Sequence, residues 1–152
     1  FNLSPFNKIS CQIFFASSCC IEILYNKITM IKNINANDCF KALKESDNSK
    51  LIDVRTNFEW KNNGYADLTS INQKINLITW VDENGNVNEH FLEQIKKLDI
   101  KKDTKLFFIC KSGVRSNHAG SYINENLISE NIFNVEGGME FGWKISNLPV
   151  TI

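Results

Sequence analysis

The stretch LFFICKSGVRS, residues 106–116, decides the fold of this chain of 152 residues. Residues 106–109 are its most strongly apolar segment and predict a buried β-strand. A loop is predicted for residues 110–115, where a glycine, two cations and a hydroxyl follow the apolar run. A helix is predicted next, from apolar residues at helical spacing: Ala119, Tyr122, Ile123 and Leu127. The order strand, short loop, helix is typical of α/β proteins.

Strand and helix signals alternate on both sides of this stretch, from Met30 onward. Further strands are predicted at residues 31–34, 50–54, 75–78 and 132–135. The strand at residues 132–135 is predicted to be the last strand of the chain. Helices are predicted after the N-cap cluster of residues 35–38, over residues 88–98, and at Phe141 and Trp143. A short acidic turn or helix is predicted around Phe58 and Trp60. The alternation predicts a single α/β domain whose central parallel sheet has helices on both faces. Because ligands bind beyond the carboxyl ends of such strands, we expect the site just after residue 109.

The composition fits one globular domain. The chain is 43% hydrophobic and 22% charged, so it is too apolar for a disordered protein. Its 17 Lys and Arg residues balance 17 Asp and Glu residues, and this net charge of zero argues against a nucleic-acid or anionic membrane partner. No apolar stretch approaches the roughly 18–20 residues that cross a bilayer, so no membrane-spanning segment is predicted.

The cysteines argue against a disulfide framework and against a structural zinc site. They number five, an odd count, and no CxxC pair occurs. The histidines, His90 and His118, lack zinc-ligand spacing and are expected to be exposed on helices. Reduced thiols in the cytosol are the simpler interpretation, so the sequence predicts a cytoplasmic protein with no metal and no cofactor.

Residues 1–29 differ from the rest of the chain, because they show no helical or strand period and hold three of the five cysteines. We expect them to be an N-terminal extension outside the native domain, which spans residues 30–152. A lipoprotein signal is the alternative, since Ala16-Ser17-Ser18-Cys19 loosely matches a lipoprotein cleavage site. The apolar segment there, residues 13–16, is shorter than the roughly 7–15 residues of a normal signal-peptide core.

The loop after residue 109 places a thiol at a position suited to holding an anion. Cys110 follows a buried strand and precedes a helix N-terminus, so N–H groups of the loop and of the first helical turn can converge on its sulfur. Gly113 permits the tight backbone path that such a cradle requires, and Lys111 and Arg115 add positive charge. These features favour a thiolate at neutral pH.

The alternative for each cysteine is a buried structural role. For Cys39, on the apolar stripe of a predicted helix, that interpretation is the better one. For Cys110 the spacing alone leaves both interpretations open, although a glycine, two cations and two hydroxyls follow it within six residues.

Several segments, in order along the chain, resemble those of one family. Residues 109–116 resemble the active-site loop of single-domain rhodaneses. Leu51-Ile52-Asp53-Val54-Arg55 resembles the family's strand with an Asp-x-Arg pair, and Glu59-Trp60 resembles its acidic–aromatic pair. Residues 135–143 and the closing Leu148-Pro149-Val150 resemble its C-terminal signature. From about residue 31 to residue 150, the chain is therefore similar to a single rhodanese domain of bacterial type.

The resemblance implies a sulfurtransferase in which Cys110 carries a persulfide. Sulfane sulfur would come from a small donor such as thiosulfate and pass to a thiol or cyanide acceptor, with a sulfur-relay protein as a further partner. The substrate-binding residues would be those of the loop after the cysteine: Lys111, Ser112, Gly113, Val114 and Arg115. Asp53 and Arg55 would brace the loop in a supporting role, and Glu59 would pair with Arg55.

The chain departs from the family pattern at Gly64-Tyr65-Ala66-Asp67-Leu68, where many members have Gly-His-Ile-Pro-Gly-Ala. A cysteine phosphatase or arsenate reductase of the same fold is one alternative function. Those enzymes resemble His-Cys-x5-Arg, whereas here Ile109 precedes Cys110 and only four residues separate the cysteine from Arg115. A second alternative is a rhodanese module that carries persulfide or binds a partner with little turnover.

Overall fold

Strands and helices alternate in the computed structural model, which describes residues 31–127 and 131–151. In chain order they are β1 (Lys32–Ile34), α1 (Ala36–Glu45), β2 (Ser49–Asp53), α2 (Asn57–Asn63), β3 (Tyr65–Ala66), β4 (Asn76–Leu77), α3 (Phe91–Lys96), β5 (Lys105–Ile109), α4 (Val114–Asn126), β6 (Ile132–Val135) and β7 (Val150–Thr151). A 3-10 turn spans Thr69–Ile71, and a π-helix spans Gly138–Trp143. The expectations for residues 1–29 lie outside the described residues.

Five strands form a parallel sheet in the order β1-β6-β5-β2-β4. The apolar strand β5 lies at its centre, where Phe107 is in register with Leu51 of β2 and with Phe133 of β6. A central strand of a parallel sheet is covered on both faces, which explains why residues 106–109 are apolar without interruption. The predicted α/β fold with a central parallel sheet is confirmed.

Two apolar cores lie on opposite faces of the sheet, and β5 contributes alternate residues to each. One core packs Leu106 and Phe108 against α3 and α4, with Ile52, Phe91, Ile95, Ala119 and Ile123 among its buried members. The other packs Phe107 and Ile109 against α1 and the π-helix, with Cys39, Leu43, Leu51, Met139 and Trp143 among its buried members. Helices therefore cover both faces, as the sequence predicts.

Helix α1 begins after Asn35, whose side-chain oxygen accepts the N–H of Asp38 at 2.9 Å. Its buried stripe consists of Ala36, Cys39 and Leu43. Burial raises the pKa of the Cys39 thiol, so this side chain stays protonated and unreactive at neutral pH. Cys39 is a core residue, in agreement with its position on the predicted stripe.

Residues 132–135 are not the last strand, contrary to the sequence-based prediction. β7 follows them and pairs antiparallel with β3 in a separate two-stranded sheet. Both strands lie outside the alternating strand and helix signals and pair only with each other, which is why both were missed. Ala66 of β3 is buried in the core that contains Trp143, and the Trp143 indole donates to the carbonyl of Pro149 at 2.9 Å. The segment that departs from the family pattern is thus part of the packed domain.

Two helices also differ from their predicted forms. The helix predicted over residues 88–98 is confined to α3, because the Asn88 side chain donates to the Thr79 carbonyl at 2.8 Å and accepts the His90 N–H at 3.0 Å. These bonds hold residue 88 in a turn. The closing helix is a π-helix rather than an α-helix. Within residues 31–127 and 131–151, no helix combines the length and apolar character needed to cross a membrane.

Candidate active site

Cys110 lies directly after the central strand β5 and is fully buried. Gly113 precedes α4 with a φ of 98°, a left-handed conformation that favours glycine. This bend turns the Gly113 N–H back toward the cysteine, where it donates to Sγ at 3.1 Å. A loop residue thus supplies one hydrogen-bond donor to the sulfur at the carboxyl end of the sheet.

A second polar contact to the sulfur comes from the first turn of α4. The Ser116 hydroxyl oxygen lies 3.2 Å from Cys110 Sγ and 2.7 Å from Asn134 Oδ1. Asn134 presents Oδ1 to Ser116 because its Nδ2 donates to Asn33 Oδ1 at 3.0 Å. A hydroxyl in this position can accept the proton of a thiol or donate to an anionic sulfur.

Ser116 and Asn134 are the site residues that sequence reasoning missed. Ser116 belongs to the quoted loop motif but was not assigned a role, and Asn134 lies in a strand predicted from its apolar neighbours. The only sequence signal was a polar residue inside a predicted buried strand. Such a residue requires hydrogen-bond partners, and here these are Ser116 and Asn33.

The π-helix, which begins at Gly138 directly after Gly137, is tied to the active-site loop by backbone hydrogen bonds. Met139 N–H donates to the Cys110 carbonyl at 2.7 Å, and Glu140 N–H donates to the Lys111 carbonyl at 3.0 Å. These bonds hold the carbonyl groups of Cys110 and Lys111 against the π-helix. The first turn of the π-helix therefore holds the loop backbone in place.

Arg55 pairs with Asp53 and not with Glu59, which corrects the sequence-based expectation. Arg55 is fully buried, with Nε 3.0 Å from Asp53 Oδ1 and Nη2 2.7 Å from Asp53 Oδ2. Nη2 also donates to the carbonyl of Gly64 at 2.7 Å. The guanidinium folds back on its own strand end, because the nearest buried carboxylate is two residues away. The pair lies beside the loop at the end of β2.

Glu59 instead binds Arg115, joining α2 to the first turn of α4. Arg115 Nη1 and Nη2 donate to the two carboxylate oxygens at 2.7 Å each. Glu59 also accepts the Thr56 N–H at 3.1 Å in a capping box at the start of α2. Burial alone would raise the pKa of Glu59, but the hydrogen bonds from Arg115 and Thr56 lower it below its usual value.

The sequence predicts that Arg115 adds positive charge to the cradle, and the structure shows that this charge is paired with Glu59. The hydrogen bonds to Glu59 are the main cause that raises the pKa of Arg115, and the charges of Glu59 and Cys110 add to it.

The remaining predicted binding residues lie on the surface of the loop. Lys111, Ser112 and Val114 are exposed, while Gly113 is buried beneath them. The structure thus brings Gly113 into contact with the sulfur and leaves the other three side chains facing solvent. Within the described parts of the chain, no group of three or more His, Cys, Asp or Glu side chains is arranged to hold a metal ion.

The chain is similar to proteins of one family. A model of the rhodanese-like domain family matches residues 36–145. An uncharacterized protein of Rickettsia prowazekii is 36% identical over 125 residues, which cover 79% of this chain and 97% of that protein. Rv0390 of M. tuberculosis has a TM-score of 0.72 at 26% identity, covering 80% of this chain and 98% of the other. A polysulfide-sulfur transferase from Wolinella succinogenes shares the fold, with a TM-score of 0.62 at 22% identity and 88% coverage of each chain. The chain therefore belongs to the rhodanese-like domain family.

Proposed function

We propose that this protein is a sulfurtransferase that carries sulfur as a persulfide on Cys110. The environment of the Cys110 sulfur supports this best. Sγ is buried, accepts the Gly113 N–H at 3.1 Å and lies 3.2 Å from the Ser116 hydroxyl. Donors aimed at a buried sulfur stabilise negative charge that develops on it. Residues 111–115 then form the loop around the transferred sulfur.

The reaction proceeds in two half-reactions through a covalent intermediate. The Cys110 thiolate attacks the outer sulfur of the donor. A bond forms between Sγ and that sulfur while the donor's own bond to it breaks, and the remnant leaves with the electron pair, as sulfite when the donor is thiosulfate. An acceptor thiolate or cyanide then attacks the outer sulfur of the persulfide and releases the Cys110 thiolate. The cycle regenerates its own nucleophile, so it requires no histidine base.

Two features argue against a phosphatase or an arsenate reductase. Only four residues separate Cys110 from Arg115, which leaves less room for a tetrahedral oxyanion than Cys-x5-Arg would. The Arg115 guanidinium is also engaged by both oxygens of Glu59 and offers less of its charge to such an anion.

The test is the intact mass of the protein after incubation with a sulfur donor. We expect one added sulfur atom on wild type, removable by reductant, none on Cys110→Ser and an unchanged gain on Cys39→Ser. Steady-state turnover with cyanide then separates an enzyme from a persulfide carrier, because a carrier loads stoichiometrically but turns over slowly. A phosphocysteine trapped at Cys110 from an aryl phosphate would contradict the proposal.

A further inference from the structure

One of the two positive side chains of the active-site loop is compensated by an acidic neighbour. Glu59 binds the Arg115 guanidinium through both of its oxygens, at 2.7 Å each. At the neighbouring strand end, Asp53 compensates Arg55 in the same bidentate manner. Of the two cations in residues 110–115, Lys111 alone has no carboxylate at salt-bridge distance in the described part of the chain, and its side chain is exposed.

The opposite side of the loop carries an ion pair that adds no net charge. Glu140 donates its N–H to the Lys111 carbonyl, and its carboxylate accepts a bond from Lys144 Nζ at 2.7 Å. Glu136, which follows β6 at the same edge of the sheet, is exposed. The loop therefore offers the Gly113 N–H, the Lys111 ammonium and the N-terminus of α4, which carries about half a positive charge. These groups suit a site that holds one negative charge.

The known classes of sulfane-sulfur donor differ in the charge that they bring. When a thiolate attacks thiosulfate, three negative charges come together, one from the thiolate and two from the donor. Attack on an organic persulfide gathers at most two, because the donor is neutral or singly charged. Like charges brought together in a site of low dielectric repel strongly, so the compensated loop penalises thiosulfate more.

We propose that Glu59 is a specificity-determining residue that makes this site select organic persulfides over thiosulfate as sulfur donors. The inference rests on the proposed sulfur transfer to Cys110. In the selected reaction, Cys110 Sγ bonds to the outer sulfur of R–S–SH while the S–S bond of the donor breaks. The thiolate R–S⁻ leaves with the electron pair, the outer sulfur keeps its proton, and no net oxidation or reduction occurs.

The test compares loading rates of the full chain with two donors, thiosulfate and the persulfide of 2-mercaptoethanol, in single-turnover experiments followed by mass. Wild type is expected to load from the persulfide at least about tenfold faster at equal donor concentration. Glu59→Gln keeps the shape of the side chain and an acceptor for the Thr56 N–H, but removes the charge that compensates Arg115. We expect it to lower the persulfide-to-thiosulfate ratio of loading rates by about tenfold, mainly through faster loading from thiosulfate.

The matched control is Glu45→Gln, which removes one carboxylate from an exposed pair with Lys41 on α1 and should leave the ratio unchanged. A wild-type protein that loads equally fast from both donors, or a folded Glu59→Gln protein with the wild-type ratio, overturns the inference and leaves sulfur transfer intact. The wild-type comparison stands even if the variant fails to fold. Failure of wild type to load from either donor contradicts the proposed function itself.

Discussion

Gly138 lies so close to the backbone of Cys110 that a Cβ on it would come within 2.3 Å of the Cys110 carbonyl oxygen. It would also lie 2.7 Å from the carbonyl carbon of Lys111. These neighbours are backbone atoms of the active-site loop and cannot turn aside as a side chain can. The absence of a side chain at residue 138 therefore sets the distance between the π-helix and the loop.

Gly138→Ala should displace the loop and lower sulfur transfer by more than about tenfold, because misplacement of a reacting group by about 1 Å costs on that order or more. The variant also strains a φ of 56°. Gly85→Ala is the matched control, since Gly85 has a φ of 86° but no atom within 4 Å of the added Cβ. Thermal unfolding should show a loss of stability in both variants, because both place alanine at a positive φ. Single-turnover loading should be slowed in Gly138→Ala alone. Equal rates in the two variants would contradict this account of the loop.

Ser116→Ala should slow persulfide formation by about tenfold to a hundredfold, because it removes a hydroxyl 3.2 Å from the reacting sulfur. Asn134→Ala should slow loading less than Ser116→Ala does, because the Ser116 hydroxyl has one proton and Asn134 Oδ1 competes with the sulfur for it. Ser112→Ala removes an exposed hydroxyl from the same loop and serves as the control. Rates of loading from a sulfur donor check the order of the three variants. A Ser116→Ala protein as fast as Ser112→Ala would remove Ser116 from the site.

Arg55→Ala should destabilise the domain by about 3–5 kcal/mol, because it leaves the Asp53 carboxylate buried without its cation. Lys41→Ala is the contrast, since it breaks an exposed pair with Glu45 and should cost roughly 0.5 kcal/mol or less. Urea unfolding of both variants measures the difference. Similar losses of unfolding free energy in the two variants would show that the buried Arg55–Asp53 pair stabilises the domain no more than the exposed pair does.

The Glu59–Arg115 pair predicts a dependence of stability on pH. The folded-state pKa of Glu59 lies below its usual value, so the pair stabilises the folded protein above the unfolded-state pKa of about 4.5. That contribution is lost as the pH falls through the lower folded-state pKa. Wild type should therefore exceed Glu59→Gln in free energy of unfolding at pH 7, and the gap should narrow at acidic pH. A gap that widens on acidification would contradict the direction of this pKa shift.

The strands and the loop could be predicted from the sequence because their signals are local. Residues 106–109 are apolar without interruption, and Gly113 stands between a cysteine and a helix start. The same holds for Cys39, whose position on a helical stripe indicates burial. β3 and β7 were missed because they stand outside the alternation of strand and helix signals, and their pairing joins residues far apart in the chain.

The ion pairs could not be assigned from the sequence because each acidic residue had more than one basic neighbour within reach. Glu59 is four residues from Arg55 and 56 residues from Arg115, yet it binds the distant one. The reason is that the short link from β2 to α2 turns Glu59 toward α4, while Arg55 is already engaged by Asp53. The role of Asn134 could not be predicted for the same reason, because its partner Ser116 lies 18 residues earlier in the chain.

The measurement that tests the central claim most directly is peptide-level mass spectrometry of the wild-type protein after incubation with a sulfane-sulfur donor and alkylation. The account predicts one additional sulfur atom, on the peptide that contains Cys110, and loss of that sulfur on treatment with cyanide or a reductant. The Cys39 peptide should carry none, because burial raises the pKa of its thiol. An unmodified Cys110 peptide after incubation with both thiosulfate and an organic persulfide would contradict the claim that this protein transfers sulfur.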